Sequence, residues 1–176
     1  MAYFTRNRLL EYARGTQKAR LAESVRASAR SASTPSVFLS HSHADKDIVE
    51  PAANFLATLG VIVYIDWMDP EMPSVTNSNT AKRIREMIQL NRRFLVLATE
   101  RSLESRWVPW ELGYADGEKK FTDIAILPVS ESLYRTAPNE YIQVYQRIEE
   151  ADQGGWYVFQ PGQDRSHTAV RDWLRA

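Results

Sequence analysis

The chain has 176 residues, 44% of them hydrophobic and 25% charged, enough for one domain with a sizeable core plus an appendage. Its formal net charge is zero and it has no cysteine, so charge points to no nucleic-acid or membrane partner, and a disulfide framework and thiolate chemistry are excluded. No apolar run approaches the roughly 18 residues that span a bilayer, and the expected location is the cytoplasm.

The charge is uneven. Residues 1–35 carry seven basic side chains against two acidic ones, a net of +5, which leaves −5 for the remainder. The segment is also rich in serine and alanine, the composition of an organellar transit peptide. A basic arm that lies on the acidic domain or on a partner is a second reading. The plainest reading is a helix from about Ala2 to Glu23 and then a Ser/Ala linker. The chain then divides into a basic helical arm with its linker, 1–34, and a domain, 35–176. Ser24 to Pro35 offers few apolar anchors, so residues 1–35 are expected to be dispensable for folding.

Ser36–Ser40 is a short apolar run with β-branched and aromatic members after Pro35, and reads as a buried strand. His41–Asp45 follows as a loop, with Asp45 or Asp47 as the cap of the next helix. Val49, Ala52, Ala53, Leu56 and Leu59 have helical spacing, stopped by Gly60. Val61–Ile65 is a second buried strand that ends at Asp66. The connection from Trp67 to Asn79, with Pro70 and Pro73, is longer than usual and so suggests function. A helix over Thr80–Leu90 buries Ile84, Met87 and Ile88. Phe94–Ala98 is the third strand.

The next helix begins near Ser105 to Trp107, takes Pro109 in its first turn and runs to Gly117. Val108, Leu112 and Ala115 share its core face. Trp107, Glu111 and Tyr114 share the neighbouring face, an aromatic wall with one acid set in it. Ile124–Val129 is the fourth strand, and residues 130–155 read as irregular. Trp156–Phe159 is a fifth strand, and Ser166–Arg175 a closing helix. Apolar strands alternating with helices predict an α/β fold with a parallel sheet covered on both faces. In such sheets ligands bind beyond the carboxyl ends of the strands. Those ends carry Ser40, His41, Asp66, Trp67, Thr99 and Ser130, and the helix bearing Trp107 and Glu111 starts on the same edge. Glu111 is therefore either a satisfied structural acid or part of a site.

His41-Ser42-His43-Ala44-Asp45 overlaps the HxHxDH pattern of zinc hydrolases, but Lys46 stands where the last histidine belongs. A catalytic zinc takes three protein ligands, and the chain has three histidines, one of them, His167, far away. No metal is expected, and His41 and His43 are read as capping the loop or lining the pocket. There is no G-x-S-x-G and no glycine-rich phosphate loop. Backbone N–H groups at the start of the Asp45 helix could still hold phosphate, and Arg92-Arg93 reads as a solvated pair.

Three segments carry a resemblance to a known family. Ser36–Ser42 followed by Ala44–Asp47 resembles the first strand and loop of a TIR domain. Val61–Ile65 with Asp66-Trp67 and the proline-bearing loop resembles its second strand and BB loop. Ser102–Leu112 resembles its serine–tryptophan–glutamate stretch. Their order and spacing match over about residues 35–160, and the chain is most similar to stand-alone bacterial TIR proteins, including those of Thoeris-type phage defence. It departs from receptor TIR domains in the loop Asp66–Glu71, which has no glycine after Pro70, and receptor-type signalling is not carried over.

The resemblance implies a flavodoxin-like TIR fold and an NAD glycohydrolase or ADP-ribosyl cyclase that cleaves the nicotinamide–ribose bond with Glu111. The product would be ADP-ribose or a cyclic ADP-ribose-type signal in anti-phage defence. NAD is the substrate, and no cofactor is expected. Ser40, His41, Asp66 and Ser105 are candidates for polar contacts to substrate, and Trp67 and Trp107 for walls of its pocket. The family implies self-association through the TIR domain and an effector that responds to the product. Two alternatives remain: a non-catalytic TIR interaction module, and another nucleoside hydrolase or deoxyribosyltransferase-like enzyme.

Overall fold

The computed structural model describes residues 2–14, 35–130, 140–163 and 165–176, and in it the apolar runs form the middle of one sheet. In chain order the elements are β1 (Phe4–Thr5), α1 (Arg6–Leu10), β2 (Ser36–Ser40), α2 (Lys46–Thr58), β3 (Ile62–Tyr64), α3 (Ser78–Leu90), β4 (Arg93–Ala98), α4 (Glu100–Glu104), α5 (Trp107–Glu118), β5 (Ile124–Ser130), β6 (Gln146–Glu150), β7 (Trp156–Phe159), β8 (His167–Ala169) and α6 (Val170–Arg175). The sheet runs β3-β2-β4-β5-β6-β7-β8. From β3 to β6 neighbours pair parallel, and β7 and β8 are added antiparallel. β2 and β4 are buried at every position, as strands covered on both faces must be.

Leaving β1 aside, the five parallel strands have the 2-1-3-4-5 order of flavodoxin-like folds, and the order reverses between β2 and β4. The connections after these two strands leave in opposite directions and open a crevice at their carboxyl ends. The expected α/β architecture is thus borne out.

Three elements differ from the sequence reading. β6 lies within the stretch read as irregular, whose residues 131–139 fall outside the described ones. Its sequence Gln-Arg-Ile-Glu-Glu has one apolar residue, so no hydrophobic period announces it. It is held instead by satisfied polar groups: Gln146 donates to the Phe121 and Ile124 carbonyls, 3.3 Å each, and accepts from Gln160 at 3.0 Å. β8 occupies the start of the expected closing helix, because His167–Ala169 pairs with β7. The short helix α4 was not read at all. A capping box between Thr99 and Ser102 starts it.

The N-terminal segment is corrected as well. Residues 2–14 form a strand, a five-residue helix and a turn rather than one long helix. β1 pairs parallel with Val129 and Ser130 at the end of β5, and Ala2 bridges Glu150. Phe4 and Leu9 are fully buried in the core cluster. The Phe4 ring stacks on Trp156 with centroids 3.6 Å apart and meets Phe55 edge-on at 4.9 Å. Arg8 pairs with Glu150 and Arg6 with Asp47, which is the contact between basic arm and acidic domain. Residues 2–14 therefore contribute Phe4 and Leu9 to the core. The linker up to residue 34 and the end of the expected helix lie outside the described residues.

Arg93 is not solvated: its Nε donates to the Trp173 carbonyl at 2.8 Å, and its guanidinium pairs with Asp123. Arg92 bonds the Ala176 carbonyl.

Candidate active site

The crevice beyond β2 and β4 is a cavity of about 530 Å³, within the range of small-molecule sites. Its walls come from the loop after β2, the loop after β3 and the start of α5. His41, Asp66, Trp67, Ser105, Trp107 and Glu111 line it, and Ser40 reaches it through Glu111. All seven residues singled out in the sequence are thus brought together.

Glu111 sits one helical turn from the start of α5, next to the core residues Val108, Leu112 and Ala115. Only 4% of it is exposed. Ser40, the last residue of β2, donates its hydroxyl to Glu111 Oε2 at 2.5 Å, the length of a charge-assisted bond. Burial pushes the Glu111 carboxyl up to about 7, and the nearby Asp66 charge adds to this, against the Ser40 hydrogen bond and the two histidines. A buried carboxylate with a raised pKa in a cleft is what a functional site presents.

The expected aromatic wall does not form. Trp107 lines the cavity, but Tyr114 turns outward. It stacks on Trp110 at 6.1 Å, and its hydroxyl accepts from Gln89 at 2.9 Å. The period of α5 put Tyr114 on the Glu111 face, and α3 on that side draws it away from the cavity mouth.

Asp66 lies between two imidazoles. Its Oδ2 is 3.0 Å from His43 Nε2 and its Oδ1 3.2 Å from His41 Nε2. Burial pushes the Asp66 carboxyl up, but its contacts with both rings more than offset this and hold it below the ordinary carboxylate range. His41 is fixed from behind: its Nδ1 is 2.7 Å from the Leu39 carbonyl. Because a carbonyl only accepts, Nδ1 carries a proton. Trp67 meets the His41 ring edge-to-face at 4.5 Å.

The loops that carry these groups are anchored. Asp45 was expected to cap α2, yet its side chain makes no cap bond. It accepts instead from the Thr99 hydroxyl at 2.5 Å and pairs with Arg101 at 3.6 Å, tying the loop after β2 to the loop after β4. The long connection after β3 is pinned by Asp69, which accepts from Tyr64 and Arg83, each at 2.8 Å. Asn77 and Thr80 form a capping box that starts α3 at Ser78 rather than Thr80. Ser105 accepts from the Trp107 backbone N–H at 3.2 Å and so helps start α5.

The TIR domain family matches residues 37–156, more than half of the chain. The chain belongs to the TIR domain family. It is similar to a protein of Bacillus cereus (strain MSX-D12) named a probable 3′ cyclic ADP-D-ribose synthase, ThsB′, with 38% identity over 113 residues, 62% of this chain and 58% of that protein. It is also similar to a protein of Cytobacillus dafuensis provisionally named a cyclic ADP-D-ribose synthase, TIR2, with 27% identity over 82 residues, 45% of this chain and 22% of that one. The chain therefore spans less than two thirds of either relative.

His43, read from the sequence as capping the loop or lining the pocket but given no contact to substrate, lines the cavity of this TIR domain, as does Thr80, which was not singled out. His43 was visible in the H-x-H spacing, but its partner Asp66 comes from another strand. Thr80 had no signal beyond its place at the start of a helix.

Proposed function

We propose that this TIR domain cleaves NAD at the nicotinamide–ribose bond, with Glu111 as the catalytic carboxylate. The observation that carries the reading is a buried glutamate, hydrogen-bonded by Ser40, in a cavity of suitable size, on a chain similar to two proteins named cyclic ADP-D-ribose synthases. The chemistry fits one acid. The glycosidic bond breaks with its electron pair going to the ring nitrogen of nicotinamide, which is already cationic and leaves neutral. No general acid is needed. The ribose becomes oxocarbenium-like, and an adjacent carboxylate that bonds its hydroxyls offsets the charge.

The second step is attack on that ribose by water, giving ADP-ribose, or by an atom of the product itself, giving a cyclic ADP-ribose-type signal, with one proton released in either case. The similarity to the named synthases favours the cyclic product. His41, Asp66 and Ser105 supply polar contacts, and Trp67 and Trp107 the walls. The product acts as a signal in anti-phage defence, read by a separate effector. Self-association runs through the connection from Trp67 to Asn79, where Val75 is 72% exposed. Among the described residues no helix is long and apolar enough to cross a membrane.

The test is incubation with NAD at high protein concentration, with products resolved by mass. Nicotinamide together with ADP-ribose or its cyclic isomer is the expected result. No consumption of NAD, or consumption of other nucleosides only, overturns the reading.

A further inference from the structure

We propose that His41, His43 and Asp66 form a binding site for one divalent transition-metal ion of the zinc class, and that the bound ion closes the cavity to a cationic substrate. The H-x-H pair lacks its third ligand along the sequence, and the fold supplies one from the end of β3. Ligand atoms of the three residues lie within 4.8 Å of one another. Asp66 oxygens stand 3.2 Å from His41 Nε2 and 3.0 Å from His43 Nε2. Tetrahedral bonds of about 2.0–2.1 Å separate ligand atoms by roughly 3.3 Å, so the three groups, now within 4.8 Å of one another, have only to draw in slightly around an ion.

A second observation points to a cation. His41 is nine-tenths buried, and its Nε2 has no aligned hydrogen-bond partner although it faces Asp66. Its Nδ1 proton is committed to the Leu39 carbonyl. With Nδ1 so committed, Nε2 is the ring atom open to a Lewis acid, and Asp66 faces it from the other side. A backbone carbonyl behind the imidazole is also the usual support of a metal-bound histidine. Two imidazoles select zinc, copper or nickel over calcium and magnesium. The edge of Trp67 shields the His41 side, while His43 stays exposed and gives the ion a way in.

Metal binding stands apart from the NAD reading, and only the closure of the cavity rests on it. An ion at this place shares the cavity with Glu111, occupies Asp66 and repels the nicotinamide cation.

The experiment uses the full chain, stripped with chelator and dialysed. Zinc chloride is titrated by calorimetry, and cobalt(II) chloride by visible absorption. Wild type is expected to take up one equivalent of zinc and to give the d–d bands of four-coordinate cobalt. Loss of a ligand costs at least as much as loss of its support, so His43→Ala should weaken zinc binding by roughly 100-fold or more and abolish the cobalt bands. His43 is exposed, and a melting curve checks that the variant is folded. Absence of both signals in wild type, or equal binding by His43→Ala, overturns the site. NAD turnover of the metal-free protein is measured beside it. Activity that falls as zinc saturates the site is the expected result, and activity unchanged at saturation overturns the closure. No turnover with or without zinc strikes the NAD reading instead and leaves the calorimetry standing, and turnover only with zinc overturns the closure.

Discussion

A carboxylate that offsets a cationic ribose must be charged, and burial opposes that charge. In the proposed role Glu111 is held between these demands, with its carboxyl raised from 4.5 to about 7. Turnover should therefore rise with pH through about 7, falling tenfold for each unit below it, in a profile of kcat/KM against pH. Folding has the opposite dependence. The native state keeps a proton on Glu111 that the unfolded chain has released, so stability falls as pH rises from about 4.5 to about 7, by on the order of 3 kcal/mol. Glu111→Gln removes both limbs. Its turnover should drop by on the order of 2.7–4 kcal/mol in the barrier, a hundredfold or more, while denaturant curves become flatter across that pH range. A folded variant with near-wild-type turnover would leave the enzyme reading without its centre. Ser40→Ala tests the other side of the balance. Its hydroxyl stabilises the charged form, and hydrogen bonds to charged groups are worth about 1.5–3 kcal/mol. The pH limb of Ser40→Ala should move upward by roughly one to two units. An unmoved limb would mean that Ser40 only fills space.

At the scale of elements, the N-terminal segment departs most from its sequence. Phe4→Ala should destabilise the domain by about 3–5 kcal/mol in urea unfolding, because the ring is fully buried against Phe55 and Trp156. Arg8→Ala should cost no more than about 1 kcal/mol, since Arg8 is partly exposed in its pair with Glu150. The reverse order would make charge, not packing, the attachment. The contrast explains what was legible. β2, β4 and β5 announced themselves as runs of apolar residues, and α2 and α3 by helical spacing. β1 has two residues and β6 one apolar side chain, too few to carry a period. In the site, Glu111, Asp66 and Trp67 could be found because strand ends and helix starts converge on one edge. The clasp of Asp66 on His43 could not, since nothing along the chain measures the distance between two loops.

For the whole molecule, the loops on that edge make the site and its expected assembly surface one continuous region. Specific activity should rise with protein concentration, and Val75→Asp should flatten the dependence by placing a charge on the exposed apolar tip of the connection after β3. Flat specific activity of wild type across a wide dilution series, with a monomer by light scattering, removes the idea. The parallel sheet was readable from four apolar strands alone, whereas its flavodoxin-like order came only as an implication of the TIR resemblance. β7 was readable as a strand but not its antiparallel sense, and β8 was not readable, because its three residues are largely exposed and polar in part.

The stacking of Phe4 on Trp156 has a consequence for how the molecule is made. Phe4 and Thr5 find their place on β5 and Phe4 stacks against Trp156, segments made well over a hundred residues later. Such distant pairings are slow to close. The crevice residues, from Ser40 to Glu111, are all translated before that clasp exists. A nascent chain stalled before Trp156 thus holds every group of its site while Phe4 has Phe55 beside it but still lacks the ring it stacks on.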